Sequence, residues 1–185
     1  MKNLTIFCPD SYYSEAMQKY ITARRNDNDK KWIYQLIDGT HLTKKECVYI
    51  NCDDWLLCKD IHPGDDVRFV VIFKDLSLKT IRDLNSSHVP MLQDIHKQVQ
   101  AFLHEQLTDE AHEYKFFFHY FPTVFQLHAH VSKPHNFNNQ QRTHMFNAVV
   151  TNLKKSPTWY RDSLILTSLP KQMRCLEDYT VFDFK

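Results

Sequence analysis

Residues 116–131 read FFFHYFPTVFQLHAHV, and this stretch decides how the chain is interpreted. Side chains alternate between the two faces of a strand, so we expect Gln126, His128 and His130 on one face and the apolar residues between them in the core. Imidazole changes its charge near neutral pH. Such a face can therefore supply a nucleophile, a proton donor or metal ligands.

The paired histidines need weighing against chance, because the chain has 11 His among 185 residues. An H-x-H spacing alone arises often in such a sequence. Here, however, the pair lies within an aromatic, apolar strand. A strand of this kind has little reason to carry two imidazoles and an amide on one face unless that face meets solvent or a ligand.

Composition excludes several classes of protein. Hydrophobic residues make up 43% of the chain and aromatic residues 14%, which indicates an ordered globular domain. The net charge of +1 gives no support for a broad nucleic-acid or membrane-binding surface. Only two glycines occur, Gly39 and Gly64, so a glycine-rich phosphate loop cannot be formed.

The cysteines and the apolar runs indicate the cellular compartment to expect. The five cysteines form no C-x-x-C pair, and the first residues do not read as a signal peptide, so a reducing compartment is expected. No apolar run approaches the roughly 18 residues of a membrane span. We expect a cytoplasmic protein, with the nucleus as a second location.

Periodicity predicts an α+β fold. Apolar residues recur at helical spacing over 89–107, after the cap signal at 85–87, and further helices are predicted over 11–25 and 142–153. Residues 32–37 fit either a helix or a strand. Strands are predicted over 46–50, 55–58, 67–73, 115–121, the strand of the histidines and 164–167. We therefore expect a mostly antiparallel sheet of five or six strands with one long helix and one or two shorter helices.

Residues 118–131, FHYFPTVFQLHAHV, resemble a stretch close to LHYLPSYYHLHVHF in the scavenger mRNA decapping branch of the histidine-triad superfamily. IRDL at 81–84, HVPML at 88–92 and WIYQLID at 32–38 are similar to three further blocks of that family. The resemblance covers roughly residues 11–169. It implies an N-terminal helical segment or linker over 1–31 and a histidine-triad catalytic domain over 32–185.

The resemblance also implies a reaction that uses no cofactor. In the family the middle histidine attacks the phosphate next to 7-methylguanosine in capped RNA fragments or cap dinucleotide, and water then hydrolyses the nucleotidyl-histidine to release 7-methyl-GMP. By position the nucleophile is His128. His130 and His119 would hydrogen-bond the phosphates, and one or the other would pass a proton to the leaving oxygen. Gln126 stands in place of the first histidine of the triad, and its amide can still orient a neighbour.

Substrate contacts carry over in the same way. The family's stacking tryptophan matches Trp32, because an indole face attracts the positively charged methylated base; a buried core position is the alternative. Arg142 matches an arginine that stabilises phosphate charge; a solvated helix position is the alternative. The remaining positions are Asp60, which matches an aspartate; Glu46, the nearest candidate for a missing glutamate; His62, in place of a lysine; and Thr123, where Thr-Val replaces Ser-Tyr.

By the same resemblance the chain begins near the end of a domain that closes over the substrate in the family. Without that lid, three outcomes stay open: acceptance of longer capped RNA, action on another nucleotide, or binding alone. The family also implies a homodimer. Other hypotheses stay open: hydrolysis of a dinucleoside polyphosphate or cyclic dinucleotide, a non-catalytic cap- or nucleotide-binding module, or a metal held by His128 and His130 with His119 or His135.

Overall fold

The described residues form two antiparallel sheets. The structure is a computed structural model that describes residues 4–7, 9–27, 30–40, 47–60, 67–134 and 140–168. The large sheet has six strands in the order β2-β3-β4-β6-β5-β7, and the small one pairs β1 with β8. The strands are β1 (Leu4–Phe7), β2 (Val48–Asn51), β3 (Trp55–Lys59), β4 (Phe69–Phe73), β5 (Lys115–His119), β6 (His128–Ser132), β7 (Thr143–Met145) and β8 (Ile165–Ser168).

Helices cover the large sheet. They are α1 (Pro9–Tyr13), α2 (Glu15–Arg25), α3 (Lys31–Asp38), α4 (Val89–Leu107), α5 (Phe146–Lys155) and α6 (Trp159–Asp162). The prediction for α4 is confirmed at both ends. The predicted helix over 11–25 is divided at Ser14, whose hydroxyl accepts a hydrogen bond from the Met17 N–H and so begins α2. Among the helices described, none combines the length and apolar character needed to cross a bilayer.

The predicted helix over 142–153 is wrong at its start. Thr143–Met145 is a strand, and the helix begins at Phe146. Phe118 of β5 pairs with His144, so the edge of the sheet takes up this segment. Pairing with a neighbouring strand outweighs local helical preference, and periodicity alone could not show it. Strand β1 was likewise not predicted.

Alternation in the strands separates two apolar clusters. Phe116 and Phe118 of β5 and Ala129 and Val131 of β6 belong to the main core, which also contains the buried faces of α4 and α5. The residues that alternate with them point to the other side of the sheet. There α3 packs on a smaller cluster composed of Ile33, Leu36, Leu56, Cys58, Val70 and Ile72.

The IRDL block has a structural role. Arg82 is 1% exposed; its Nε donates to the Tyr120 hydroxyl at 2.7 Å, and its Nη1 donates to the carbonyls of Tyr160 at 2.8 Å and Ser163 at 3.0 Å. Its guanidinium also lies over the ring of Tyr12. A buried cation is tolerated when its donors are satisfied in this way. Arg82 thus joins α1, the turn after β5 and the end of α6.

The N-terminal helices belong to the same core. Tyr12, Met17 and Ile21 are buried in the main cluster with the residues of α4 and the sheet. Each buried apolar side chain of this size stabilises the fold by roughly 1.5–3 kcal/mol. Helices α1 and α2 therefore support the sheet directly. The domain boundary between residues 31 and 32 stays a prediction.

Candidate functional site

A cavity of about 400 Å³ opens on the α3 side of the large sheet. Most of the predicted site residues border it: Trp32, Asp60, His119, Thr123, His128, His130 and Arg142. Gln126 does not. Glu46 and His62 lie outside the described residues, so the structure says nothing of their predicted roles.

Strand register brings three imidazoles together. His130 pairs with Val70 of β4 on one side and with Phe117 of β5 on the other. His119 follows Phe117 by two residues, so it shares the cavity face. The ring of His130 lies 5.1 Å from that of His128 and 4.7 Å from that of His119, measured between centroids. His130 is therefore the central member of the cluster.

The surroundings of His128 define its tautomer. Its Nδ1 lies 2.7 Å from the backbone oxygen of Gln126. A carbonyl oxygen can only accept, so Nδ1 carries the proton and the neutral ring keeps its lone pair on Nε2. Burial, followed by the charge of His130, lowers the pKa of His128 to about 4. The ring is thus neutral near pH 7 and chemically suited to nucleophilic attack.

Asp60 lies beside His130. Its Oδ2 is 3.4 Å from Nδ1 of His130, and each side chain is 18% exposed. A carboxylate at this distance can orient the imidazole. The ring of Phe117 stacks on that of His130, with the centroids 5.4 Å apart. His130 therefore contacts both an acidic group and an aromatic ring.

His119 is a buried neutral group with unused hydrogen-bonding capacity. Burial, then the charges of His130 and Arg142, lower its pKa to about 2. Within the part of the chain that the structure describes, its Nε2 is buried and has no hydrogen-bond partner. An unpaired buried polar atom is costly. A ligand oxygen in the cavity would satisfy it.

Arg142 supplies a cation at the cavity, although not from a helix. It lies in the 3-10 turn Gln140–Arg142, which corrects its predicted place at the start of a helix. Its Nε donates to the Phe121 carbonyl at 3.0 Å, and Nη2 contacts the same oxygen. Burial lowers its pKa to about 10, so the guanidinium stays charged at neutral pH. A planar cation held in this way is suited to phosphate oxygens.

The prediction that the Gln126 side chain shares the histidine face is wrong. Strand β6 begins at His128, so the alternation does not extend to Gln126, which is fully buried. Its Nε2 donates to the carbonyls of Phe73 at 2.7 Å and Asp75 at 2.9 Å. Its Oε1 accepts from Nη2 of Arg25 at 3.4 Å. A buried amide needs such partners, and the end of β4 and the turn after it provide them. Only the backbone oxygen of Gln126 touches the histidine cluster.

Trp32 combines the two predicted roles. It lies in the first turn of α3, is partly buried and packs against the smaller apolar cluster, while it also borders the cavity. Val124, which packs on the same cluster, borders the cavity beside Thr123. A partly buried indole that borders a cavity can present surface to a planar ligand.

The cavity residues that were not predicted include the apolar Ile33, Val70 and Val124. Four further ones are Lys30, Arg68, Phe117 and Ser132. A signal for three of them was present in the sequence. Phe117 alternates with His119 and Ser132 with His130, so each shares the site face of its strand. Arg68 precedes Val70 by two residues within the strand predicted over 67–73, although β4 itself begins at Phe69. Lys30 precedes α3 and has no such signal.

The metal hypothesis receives no support from the part of the chain that the structure describes. Over residues 4–168, apart from the segments that are not described, no three His, Cys, Asp or Glu side chains are grouped so that they could hold an ion. His135, one of the two proposed third ligands, lies outside the described residues.

Comparison with known proteins identifies relatives of limited identity. The m7GpppX diphosphatase of Bos taurus is 25% identical over 142 residues, 71% of this chain and 42% of the relative. That of Ascaris suum is 23% identical over 160 residues, which are 80% of this chain and 52% of the relative. The human protein is 23% identical over 149 residues, which are 75% of this chain and 44% of the relative. The chain thus spans about half the length of the curated relatives it matches.

A solved structure and a family description complete the comparison. The aprataxin ortholog Hnt3 from Schizosaccharomyces pombe superposes with a TM-score of 0.48 at 18% identity, over 83% of this chain and 92% of that one. Residues 31–145, more than half of the chain, match the family described as "Scavenger mRNA decapping enzyme C-term binding". These residues include α3, the large sheet and the histidine cluster. The chain belongs to the scavenger mRNA decapping enzyme C-terminal family.

Proposed function

We propose that this protein hydrolyses the triphosphate bridge of 7-methylguanosine-capped RNA fragments or cap dinucleotide and releases 7-methyl-GMP. Family membership and the relatives' diphosphatase activity support the reaction class. The observation that carries the proposal is the state of His128. Its Nδ1–H is bound to the Gln126 carbonyl and its lowered pKa keeps it neutral, so Nε2 is available beside two further imidazoles and an arginine.

The chemical step follows from this arrangement. The Nε2 lone pair of His128 attacks the phosphorus next to 7-methylguanosine and forms a P–N bond, while the P–O bond to the remaining diphosphate breaks. His130, with Asp60 beside it, donates the proton that the leaving oxygen needs. Water then attacks the same phosphorus, breaks the P–N bond, and loses a proton to His130. Arg142 and His119 stabilise charge on the phosphate oxygens.

Recognition of the base is assigned to Trp32. N7-methylation gives the guanine a positive charge, and a cation is attracted to an indole face by about 0.5–2 kcal/mol. Lys30 and Arg68 border the same cavity, which gives it cations suited to a phosphate chain. Asp60 lies beside His130. In this proposal it orients that histidine, in addition to any contact with the base that the family resemblance implies.

The place of Gln126 favours turnover over binding alone. Loss of the first triad histidine suggested a non-catalytic module, but the side chain at this position does not border the cavity. The backbone oxygen that holds His128 is present whatever residue stands at 126. Homodimer formation, the cytoplasmic location and acceptance of longer RNA stay predictions.

The test is hydrolysis of cap dinucleotide by purified protein in the presence of a chelator. We expect 7-methyl-GMP and a nucleoside diphosphate as products, at the same rate with and without the chelator. Rapid alkaline quenching and mass spectrometry should find the nucleotidyl group on His128, because a phosphoramidate survives alkali.

Substrate competition separates the remaining hypotheses. Dinucleotides with and without the N7-methyl group are compared with a dinucleoside polyphosphate and a cyclic dinucleotide. Preferential turnover of an unmethylated nucleotide would assign the site to another nucleotide. Tight binding of every nucleotide without product would identify a binding module and overturn the proposal.

A further inference from the structure

We propose that Arg25 is a positioning residue for His128, on which it acts through Gln126. Its kinetic consequence rests on the proposed function, but the chain of contacts does not. Arg25 lies at the end of α2, far from the histidines in sequence, and it does not border the cavity. Its influence on the site must therefore pass through an intermediate group.

The side chain of Gln126 is that group. Its two N–H bonds are directed to the carbonyls of Phe73, the last residue of β4, and Asp75 in the turn after it, and its oxygen accepts from Arg25. The residue is fully buried, so water cannot replace a lost partner. Donors and acceptor of the amide are all engaged, and its orientation is fixed on three sides.

The backbone of the same residue fixes the histidine. The Gln126 carbonyl lies 2.7 Å from Nδ1 of His128. Leu127 reinforces this position, since its N–H donates to the Leu78 carbonyl at 2.8 Å and its own carbonyl accepts from the Phe73 N–H at 3.1 Å. The turn after β4 and residues 126–127 therefore form one hydrogen-bonded unit, which holds the ring of His128 in its tautomer.

Arg25 closes this unit from outside. Its Nη2 donates to the Leu76 carbonyl at 3.0 Å as well as to Gln126, and its Nε donates to the Tyr34 hydroxyl at 3.0 Å. One guanidinium thus links α2, α3 and the turn after β4. Its fork can bind several oxygens in a fixed geometry, which a lysine ammonium cannot reproduce.

Glutamine is well matched to this place. A neutral imidazole has one N–H, so it could not serve both the Phe73 and Asp75 carbonyls, and a protonated imidazole would face the charge of Arg25. A carboxylate would accept from Arg25 but leave both carbonyls without donors. The amide meets both demands. We therefore regard Arg25 and Gln126 as one unit that supports the nucleophile.

The experiment compares Arg25→Met with Arg25→Lys, and Arg24→Met is the matched control. Arg24 is the neighbouring residue of α2, carries the same charge and pairs with Asp27 instead of Gln126. Nitrogen-15 NMR of the histidine side chains reports the tautomer of His128 and the exchange of its Nδ1 proton. Steady-state kinetics with cap dinucleotide and thermal unfolding are measured on the same samples.

We expect Arg25→Met to raise the exchange rate of the His128 Nδ1 proton at least about tenfold and to lower kcat about tenfold, with KM within about twofold, because a small displacement of a reacting group is costly. Arg25→Lys should show a smaller rise in the exchange rate and a smaller fall in kcat than Arg25→Met. Arg24→Met should match the unaltered protein in tautomer, exchange and kcat.

Unchanged tautomer and exchange in Arg25→Met would overturn the proposal. So would equal effects in Arg24→Met, which would indicate a general effect of α2. Should Arg25→Met not fold, Arg25→Lys decides by the same two readouts. If the unaltered protein shows no turnover, the proposed function fails, while the NMR comparison still tests the link between Arg25 and His128.

Discussion

The two faces of the large sheet are built from the same strands but carry different tasks. On β5, Phe118 lies in the main core while the next residue, His119, borders the cavity. On β6, Ala129 lies in the core between His128 and His130. The α4 side is closed by apolar side chains, and the α3 side is only partly filled. Adjacent residues of one strand therefore belong to the core on one face and to the proposed reaction site on the other.

The largest effect should come from the site face. His128→Asn removes the attacking nitrogen, so we expect kcat to fall by roughly 10⁴-fold or more. The midpoint of thermal unfolding should change little, because no apolar core contact is lost. Turnover assays and calorimetry on one preparation check both halves. Substantial turnover in this variant would separate His128 from the reaction.

The core face should give the opposite result. Leu92 of α4 is fully buried, and Leu92→Ala should lower the free energy of unfolding by about 2–5 kcal/mol. Activity per folded molecule should be unchanged at a temperature where the variant remains folded. Denaturant titration gives the first quantity and active-site titration the second. A large loss of kcat would mean that the faces are coupled.

Titration provides a test that spans both faces. His128 and His144 have pKa values lowered to about 4, mainly by burial, and that of His119 is lowered to about 2. Unfolded histidines titrate near 6.5, so below that pH the unfolded chain binds protons that the folded chain does not. The free energy of unfolding should therefore fall as pH decreases from about 7 to 4, by roughly 1–3 kcal/mol for each group.

His144 permits this effect to be separated from catalysis. Its ring lies beside Tyr120 and Tyr160 and does not border the cavity. His144→Gln should reduce the pH dependence of unfolding while kcat is retained. The exposed His104 is the control, and His104→Gln should leave the curve unchanged. Equal curves for both variants would contradict the assignment.

The smallest expected effect concerns Trp32. Trp32→Ala should weaken binding of the N7-methylated nucleotide by about 1–2 kcal/mol, or roughly tenfold, and affect the unmethylated nucleotide less. Fluorescence or calorimetric binding measures both constants. Trp159, an exposed residue of α6, offers the control Trp159→Ala. An equal loss for both nucleotides would assign Trp32 to packing rather than to recognition of the methyl group.

Local patterns predicted much of the sheet and the long helix. The bounds of α4 followed from the apolar spacing, whereas the predicted cap at Asn85 begins the short 3-10 turn Ser86–His88 that precedes α4. The positions of His128 and His130 on one face followed from alternation. Pairing between distant segments was not visible, which is why β1 and β7 were missed. The contact between Arg25 and Gln126 joins residues of α2 and the turn before β6, and no local pattern encodes it.

Gln126 shows where a local rule ends. Alternation would have placed its side chain beside His128, but the rule holds only inside a strand, and β6 begins at His128. The Gln126 side chain is instead directed to the carbonyls of Phe73 and Asp75, which belong to a distant segment of the chain. The same resemblance that assigns the nucleophile to His128 also suggested a lost catalytic group at Gln126. In the structure this side chain is buried, outside the cavity lining, and bonded to backbone carbonyls.

The small sheet of β1 and β8 bears on the order of folding. Leu4 pairs with Ser168, so this contact closes a loop that contains nearly all of the described chain. Closing a long flexible loop is entropically unfavourable, and a two-stranded ribbon gains little by itself. We therefore expect β1 to pair with β8 late in folding, once the large sheet has brought their attachment points together.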